Sequence, residues 1–406
     1  MSIQAYKEIL SHNEYLKGYD NLFNNQFEYQ PEKAGSLMLY TKKDDLYTNV
    51  RSCYITFQQY DDKKSVLNGG KLISFYIKSQ PNACIEQLIY HIGITNYLPG
   101  PYSFNTIYNL INYIEIFNDN KTIEKLDSQE LFMTNLLQVK QDTYQLQNSL
   151  KGLNPTTLAA NGSAVFMIDI NCFLTKQGIP MSSLGDLKID IKFNPDNATA
   201  NIDSVQLSTS EIMVFYYEIT DKQDSYFRSL KCIDNRYLQI DHASYNWNNI
   251  TAGNSFKFNL TQDAVIPFML FYIQNKSDND SFTTQYNNFV PVVSFELLGK
   301  NNQSTMNGVI MDQTLNLFQF QKHFQQLFHI INPASSYYNN IYMLNFCLNP
   351  ELAMKRNYVG GQEITDNDYQ LKITVGTNIS QAVINVFLFN YQMTHIERKK
   401  ITFYDN

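Results

Sequence analysis

From about residue 45 onward, hydrophobic and polar positions alternate in short runs separated by turn residues, as half-buried strands require. Residues 52–58 set Cys53, Ile55 and Phe57 on one face. Predicted strands follow over 72–77 and 85–94. Pro99-Gly100-Pro101 breaks the chain, and 107–117 is the next strand, closed by Asn118-Asp119-Asn120 as a hairpin turn. Asp127-Ser128-Gln129-Glu130 carries acids into a first turn and predicts a helix through Leu131, Leu136 and Leu137. A polar loop over 138–162 leads to strands over 164–170, 187–193 and 213–219. In the second of these, Leu187, Ile189, Ile191 and Phe193 keep a strict period of two, so one face is buried and one wetted. Asp221-Lys222-Gln223-Asp224 reads as a charged linker.

Beyond that linker the order repeats. Residues 71–78 correspond to 255–260, 113–117 to 294–298 and 186–193 to 368–375, at offsets of about 181–184 residues. The strand over 164–170 is answered by 342–348 and that over 213–219 by 383–391. A predicted helix over 315–331 takes the place of 127–137. The run over 268–273 is continuously apolar. The offset falls to about 172 where Phe215 meets Phe387, so the shortening lies between 194–210 and 376–381.

Strands separated by turns, one helix per unit and no βαβ alternation predict an all-β sandwich. Periodicity leaves jelly-roll and immunoglobulin-like topologies open. A unit of about 180 residues, against roughly 100 for an immunoglobulin domain, favours two consecutive eight-stranded jelly rolls with short helices in the connections. The expected division is an N-terminal arm over 1–44, a first jelly roll over 45–221 and a second over 222–406. Within the arm, Ile3, Tyr6, Ile9, Leu10 and Leu16 fall at roughly helical spacing.

At 406 residues the chain is long enough for two cores, and 44% hydrophobic content makes it globular. Tyr and Phe number 29 and 27, whereas Trp247 is the single Trp. Asn and Gln are abundant, which fits either an AT-rich genome or wet subunit contacts. A net charge of −7, with three Lys against five acids in the first 40 residues, gives no basic footprint, so direct nucleic-acid binding is not expected. No apolar leader or uninterrupted apolar run of membrane-spanning length is visible. The five Cys lack zinc-type spacing and read as buried free thiols.

Candidate chemistry is sparse. His323 and His329 share the predicted helix but not the i, i+4 spacing of a zinc pair. Asp241-His242 lies near no nucleophile-elbow motif. Gly69-Gly70 and Gly360-Gly361 lack a phosphate-loop pattern and read as turns. Asp44-Asp45 and Asp61-Asp62 lie in loops and read as solvated pairs or cation sites, and Lys399-Lys400 as a solvated pair. The expectation is a protein that is not an enzyme, with no catalytic, cofactor-binding or metal-binding residues and no cofactor.

Four regions, in order, carry a resemblance: Gly69-Gly70-Lys71 through Ile77; Tyr108 through Phe117 with Lys121 through Leu126; Phe173 through Leu184 with Leu187 through Ile191; and Asn385 through Met393. Together they make the chain from about 48 to 406 similar to the double jelly-roll major capsid proteins of nucleo-cytoplasmic large DNA viruses, virophages, Polinton-like viruses and tectivirus-type phages. The sequence departs from that family after Leu348-Asn349-Pro350-Glu351 and over its last residues, 400–406. The resemblance implies a homotrimer forming a pseudo-hexagonal capsomer in the icosahedral capsid of a virion. It also implies contacts with neighbouring capsomers, penton and minor capsid proteins, and an arm placed to meet an internal membrane. Loops 275–290 and 350–367 are the expected outer surface, with 95–105 projecting less. A carbohydrate-binding or glycan-processing double jelly roll is the alternative, though a single Trp counts against aromatic platforms; a cupin-type enzyme would need clustered His ligands, which the sequence lacks.

Overall fold

The computed structural model describes residues 53–59, 70–118, 121–139, 146, 149–175, 179–194, 205–261, 263–277, 289–299, 303–305, 311–324, 340–354, 359–365 and 368–403. The N-terminal arm, Asp61-Asp62, His329 and most of loop 275–290 lie outside them.

The first half runs β1 (Cys53–Gln59), β2 (Leu72–Ile77), β3 (Ala83–Asn96), β4 (Tyr102–Phe104), β5 (Ile111–Asn118), β6 (Lys121–Asp127), α1 (Ser128–Leu137), β7 (Thr156–Leu158), β8 (Ser163–Asp169), α2 (Met181–Leu184), β9 (Leu187–Phe193) and β10 (Val205–Glu218). Helix α3 (Asp221–Ser229) joins it to the second half. That half runs β11 (Ile233–Ile250), β12 (Ser255–Asn259), β13 (Ala264–Ile266), β14 (Phe268–Asn275), β15 (Val292–Leu298), α4 (Gln313–Phe324), β16 (Tyr342–Asn345), α5 (Pro350–Met354), β17 (Gln362–Ile364), β18 (Gln370–Val375), β19 (Ile379–Glu397) and β20 (Lys400–Phe403).

Two sheets face each other in each half. In the first, the orders are β1-β10-β3-β8 and β2-β9-β5-β6. Counting the long strands one to eight, these are 1-8-3-6 and 2-7-4-5, the doubled Greek key of a jelly roll. In the second half β11-β19-β14-β16 repeats 1-8-3-6, and β12-β18-β15 repeats 2-7-4. All of these pairings are antiparallel. The fold is a double jelly roll, and each pair of segments matched by the sequence repeat occupies equivalent strands. Eleven residues (194–204) separate β9 from β10, whereas three (376–378) separate β18 from β19. That difference of eight residues accounts for most of the drop in offset.

Local departures have physical causes. The predicted strand over 107–117 begins as a 3-10 turn at Ile107–Leu110. Its residues are buried all round rather than on alternate faces. Asn194 fastens the turn, donating from Nδ2 to the carbonyls of Asn109 (2.6 Å) and Ile111 (3.2 Å). The charged "linker" 221–224 is the first turn of α3. Thr220 caps it by accepting from the Gln223 N–H (3.2 Å) while Gln223 Oε1 accepts from the Thr220 N–H (3.1 Å). Loop 350–367, expected to be an outer loop, contains α5, with Ala353 fully buried, and β17, which pairs with β13. Loop 95–105 contains β4, paired with β7. Within that loop Asn96 is buried, and its Nδ2 lies within hydrogen-bond reach of the Gly100, Leu158 and Ala159 carbonyls.

Candidate assembly surfaces and the junction between the barrels

The second barrel's β14 explains its unbroken apolar run. Met269, Phe271 and Ile273 point into that barrel's own core with Ile384, Val386 and Leu388 of β19. Phe268, Leu270 and Tyr272 point the other way and, with Phe387, Phe389 and Tyr391, join the continuous core of the first barrel. Phe268 stacks on Phe389 at 4.2 Å between centroids. Residues that alternate across a strand here meet two different apolar environments, so no polar positions survive. Each such buried side chain contributes roughly 1.5–3 kcal/mol.

Helix α1 of the first barrel packs on β11. Its N-terminus is a capping box: Asp127 Oδ1 accepts from the N–H groups of Gln129 and Glu130 (both 2.8 Å), and Glu130 Oε2 accepts from the Asp127 N–H (2.7 Å). The second barrel holds this turn. His242 Nδ1 lies 2.7 Å from Asp127 Oδ2, and Tyr272 donates its hydroxyl to Gln129 Oε1 at 3.0 Å. The His242 ring lies flat on Phe387, 4.7 Å between centroids. Burial lifts the Glu130 carboxyl to about 9, and the Asp127 carboxylate beside it adds to the effect.

Ser244, His242 and Asp127 thus line up in the sense of a catalytic triad, with Ser244 Oγ 3.3 Å from His242 Nε2. The hydroxyl proton, however, is directed at Asn385 Oδ1 (2.8 Å), which also lies 3.1 Å from His242 Nε2. The arrangement binds helix, β11 and β19 together rather than activating a nucleophile. Asp241, neighbour of His242, accepts from Asn390 on β19, and burial raises its carboxyl above the ordinary range.

Among the described residues nothing covers the equivalent sheet of the first barrel in this way. On its outer face Met167, Met213 and Phe215 are half-buried and Val165 is 47% exposed. Likewise α4, which stands where α1 stands in the first barrel, presents Leu315 (39% exposed) and Phe318 (56%) three residues apart on one side.

The other sequence candidates fall elsewhere. Trp247 is buried and stacks on Phe256 at 5.0 Å, so it offers no sugar-binding platform. His323 lies in α4. Arg398 and Lys399 both have positive φ (50° and 67°) and form the exposed turn between β19 and β20. Gly360 also has positive φ, in keeping with a turn. Cys84, Cys172 and Cys347 are buried free thiols, whereas Cys232 is only half-buried and adjoins Asp234 and His395, a grouping with no signal in the linear sequence. Among the described residues no helix is long and apolar enough to cross a membrane.

No protein-family model and no curated protein matches the sequence. Known structures do match the fold. The chain superposes on VP54 of PBCV-1 with a TM-score of 0.65 at 14% identity, covering 87% of this chain and 97% of that one. It superposes on the Faustovirus major capsid protein at 0.60 with 6% identity, covering 85% and 90%. A chain of the Sputnik virophage gives 0.55 at 10% identity, covering 88% and 89%. At such identities the likeness is one of fold, and it spans both barrels.

Proposed function

We propose that the protein is a structural capsid protein, three copies of which close into a pseudo-hexagonal capsomer of an icosahedral viral shell. One observation carries this reading. Inside the chain, α1 of the first barrel covers the outer sheet face of the second; α4 and the outer sheet face of the first barrel are the matching halves of that contact, uncovered among the described residues. Placing α4 of one chain against β3, β8 and β10 of the next continues the internal arrangement. Six similar barrels, each turned by ~60°, close a ring of three chains through heterologous contacts. The low-identity fold likeness to capsid proteins supports the same reading. Arm 1–44 then lies beneath the shell, where neighbouring trimers, minor capsid proteins or an internal membrane are its candidate partners. The net charge of −7 argues against a direct hold on the genome.

The test is the solution mass of the full chain, followed by electron microscopy. A stable species near three times 47.2 kDa that forms hexagonal lattices or closed shells supports the proposal. A protein that stays monomeric at high concentration and forms neither overturns it.

A further inference from the structure

We infer that Cys232, Asp234 and His395 form a binding site for a divalent transition metal of the zinc class. Cys232 directly precedes β11, Asp234 is the second residue of β11, and His395 lies near the end of β19. Antiparallel register sets Asp234 opposite His395 and Ile233 opposite Ile396. Alternation points the two Ile side chains into the core, where both are buried, and turns Asp234 and His395 to the other face. Sulfur, nitrogen and carboxylate atoms of Cys232, His395 and Asp234 all lie within 4.8 Å of one another.

The chemistry of this set is selective. Thiolate, imidazole and carboxylate together suit zinc and its neighbours, whereas magnesium and calcium take oxygen alone. His395 Nδ1 and Asp234 Oδ1 are 2.7 Å apart. A tetrahedral ion with bonds of about 2.0–2.2 Å needs its N and O ligands ~3.3 Å apart. A small side-chain rotation therefore opens the pair to admit the ion. Three protein ligands leave the fourth position of a tetrahedral ion to water.

The frame is firm, because β19 is flanked by β11 on one side and β20 on the other, with Thr402 donating to the His395 carbonyl at 3.2 Å. An ion here would fasten the segment leaving α3 to the final hairpin, linking positions more than 160 residues apart in the chain.

The experiment uses the full chain, stripped with a chelator and titrated with zinc and, separately, cobalt(II). The expected result is one tightly held ion per chain, with cobalt giving an intense thiolate-to-metal charge-transfer band. Zinc should raise the melting temperature of the native chain. Cys232→Ser and His395→Gln should each weaken binding at least tenfold and abolish the band, while Cys347→Ser should retain both. Circular dichroism and the metal-free melt report whether each variant is folded. Absence of a stoichiometric ion in the native chain, or a cobalt band that survives in folded Cys232→Ser, overturns the proposal.

Discussion

Asn135 in α1 and Asn316 in α4, 181 residues apart, perform the same task in the two barrels. Asn135 donates from Nδ2 to the Asp169 carbonyl and accepts at Oδ1 from the Asp169 N–H (2.9 and 3.0 Å). Asn316 donates to the Ile341 carbonyl and accepts from the Met343 N–H (both 2.8 Å). Both side chains are buried, and each satisfies backbone groups at the sixth long strand of its barrel, β8 or β16. Replacing either by Ala leaves a buried N–H and carbonyl without these partners. Each substitution should cost about 2–3 kcal/mol, measured as a lowered denaturant midpoint with unchanged slope.

Glu130 makes stability depend on pH. Its carboxyl titrates near 9 in the folded chain, against the ordinary 4.5. A carboxyl raised by folding favours the native state most below its unfolded pKa. The advantage is lost as pH climbs from about 4.5 through 9. Glu130→Gln keeps an acceptor for the Asp127 N–H and removes the charge. Relative to the native chain it should gain on the order of 1–3 kcal/mol at pH 8 and almost nothing at pH 4.5. Thermal melts at the two pH values check this.

Phe318 separates assembly from folding. Because it is exposed in the single chain, Phe318→Asp should change chain stability by no more than about 0.5 kcal/mol. If α4 docks on the next chain, the same change should weaken trimer formation at least ~30-fold, equivalent to about 2 kcal/mol. Sedimentation at several concentrations, alongside melts of the dissociated chain, reads the two effects independently.

Gly152 has φ +64°, and a Cβ added there would lie 2.5 Å from Ile107 Cγ2 and 2.9 Å from Phe166 Cδ1. Its carbonyl also accepts from the Ile107 N–H at 2.9 Å. Gly152→Ala therefore meets both a left-handed backbone and a filled core. A loss of about 2–4 kcal/mol is expected, seen as a lowered melting temperature.

Much of the architecture was legible because the repeat is one of strand order. Leu187 through Phe193 and its counterpart over 370–375 keep period two in both barrels, and Asp127 through Glu130 form the capping box that their spacing predicts. Other features escaped because they depend on contacts between distant segments. Ile107 through Leu110 look strand-like until Asn194 bends them into a turn. Thr220 and Gln223 turn apparent linker charge into a helix start, and buried Asn135 and Asn316 look like surface amides. Cys232 and His395 show no motif spacing, since only the β11–β19 register unites them.

The second barrel's 1-8-3-6 sheet has a further consequence during synthesis. Its outer residues, Phe268, Leu270, Phe387 and Phe389, find their cover in the first barrel, and the last two are synthesised long after that barrel is complete. A nascent chain that has completed only its first barrel still exposes the surface that these residues will seal, a stretch that invites chaperones or aggregation. The duplicated halves have thereby become interdependent, and a half-length fragment should be poorly soluble. In the finished molecule, heat should melt both barrels in one calorimetric transition rather than two.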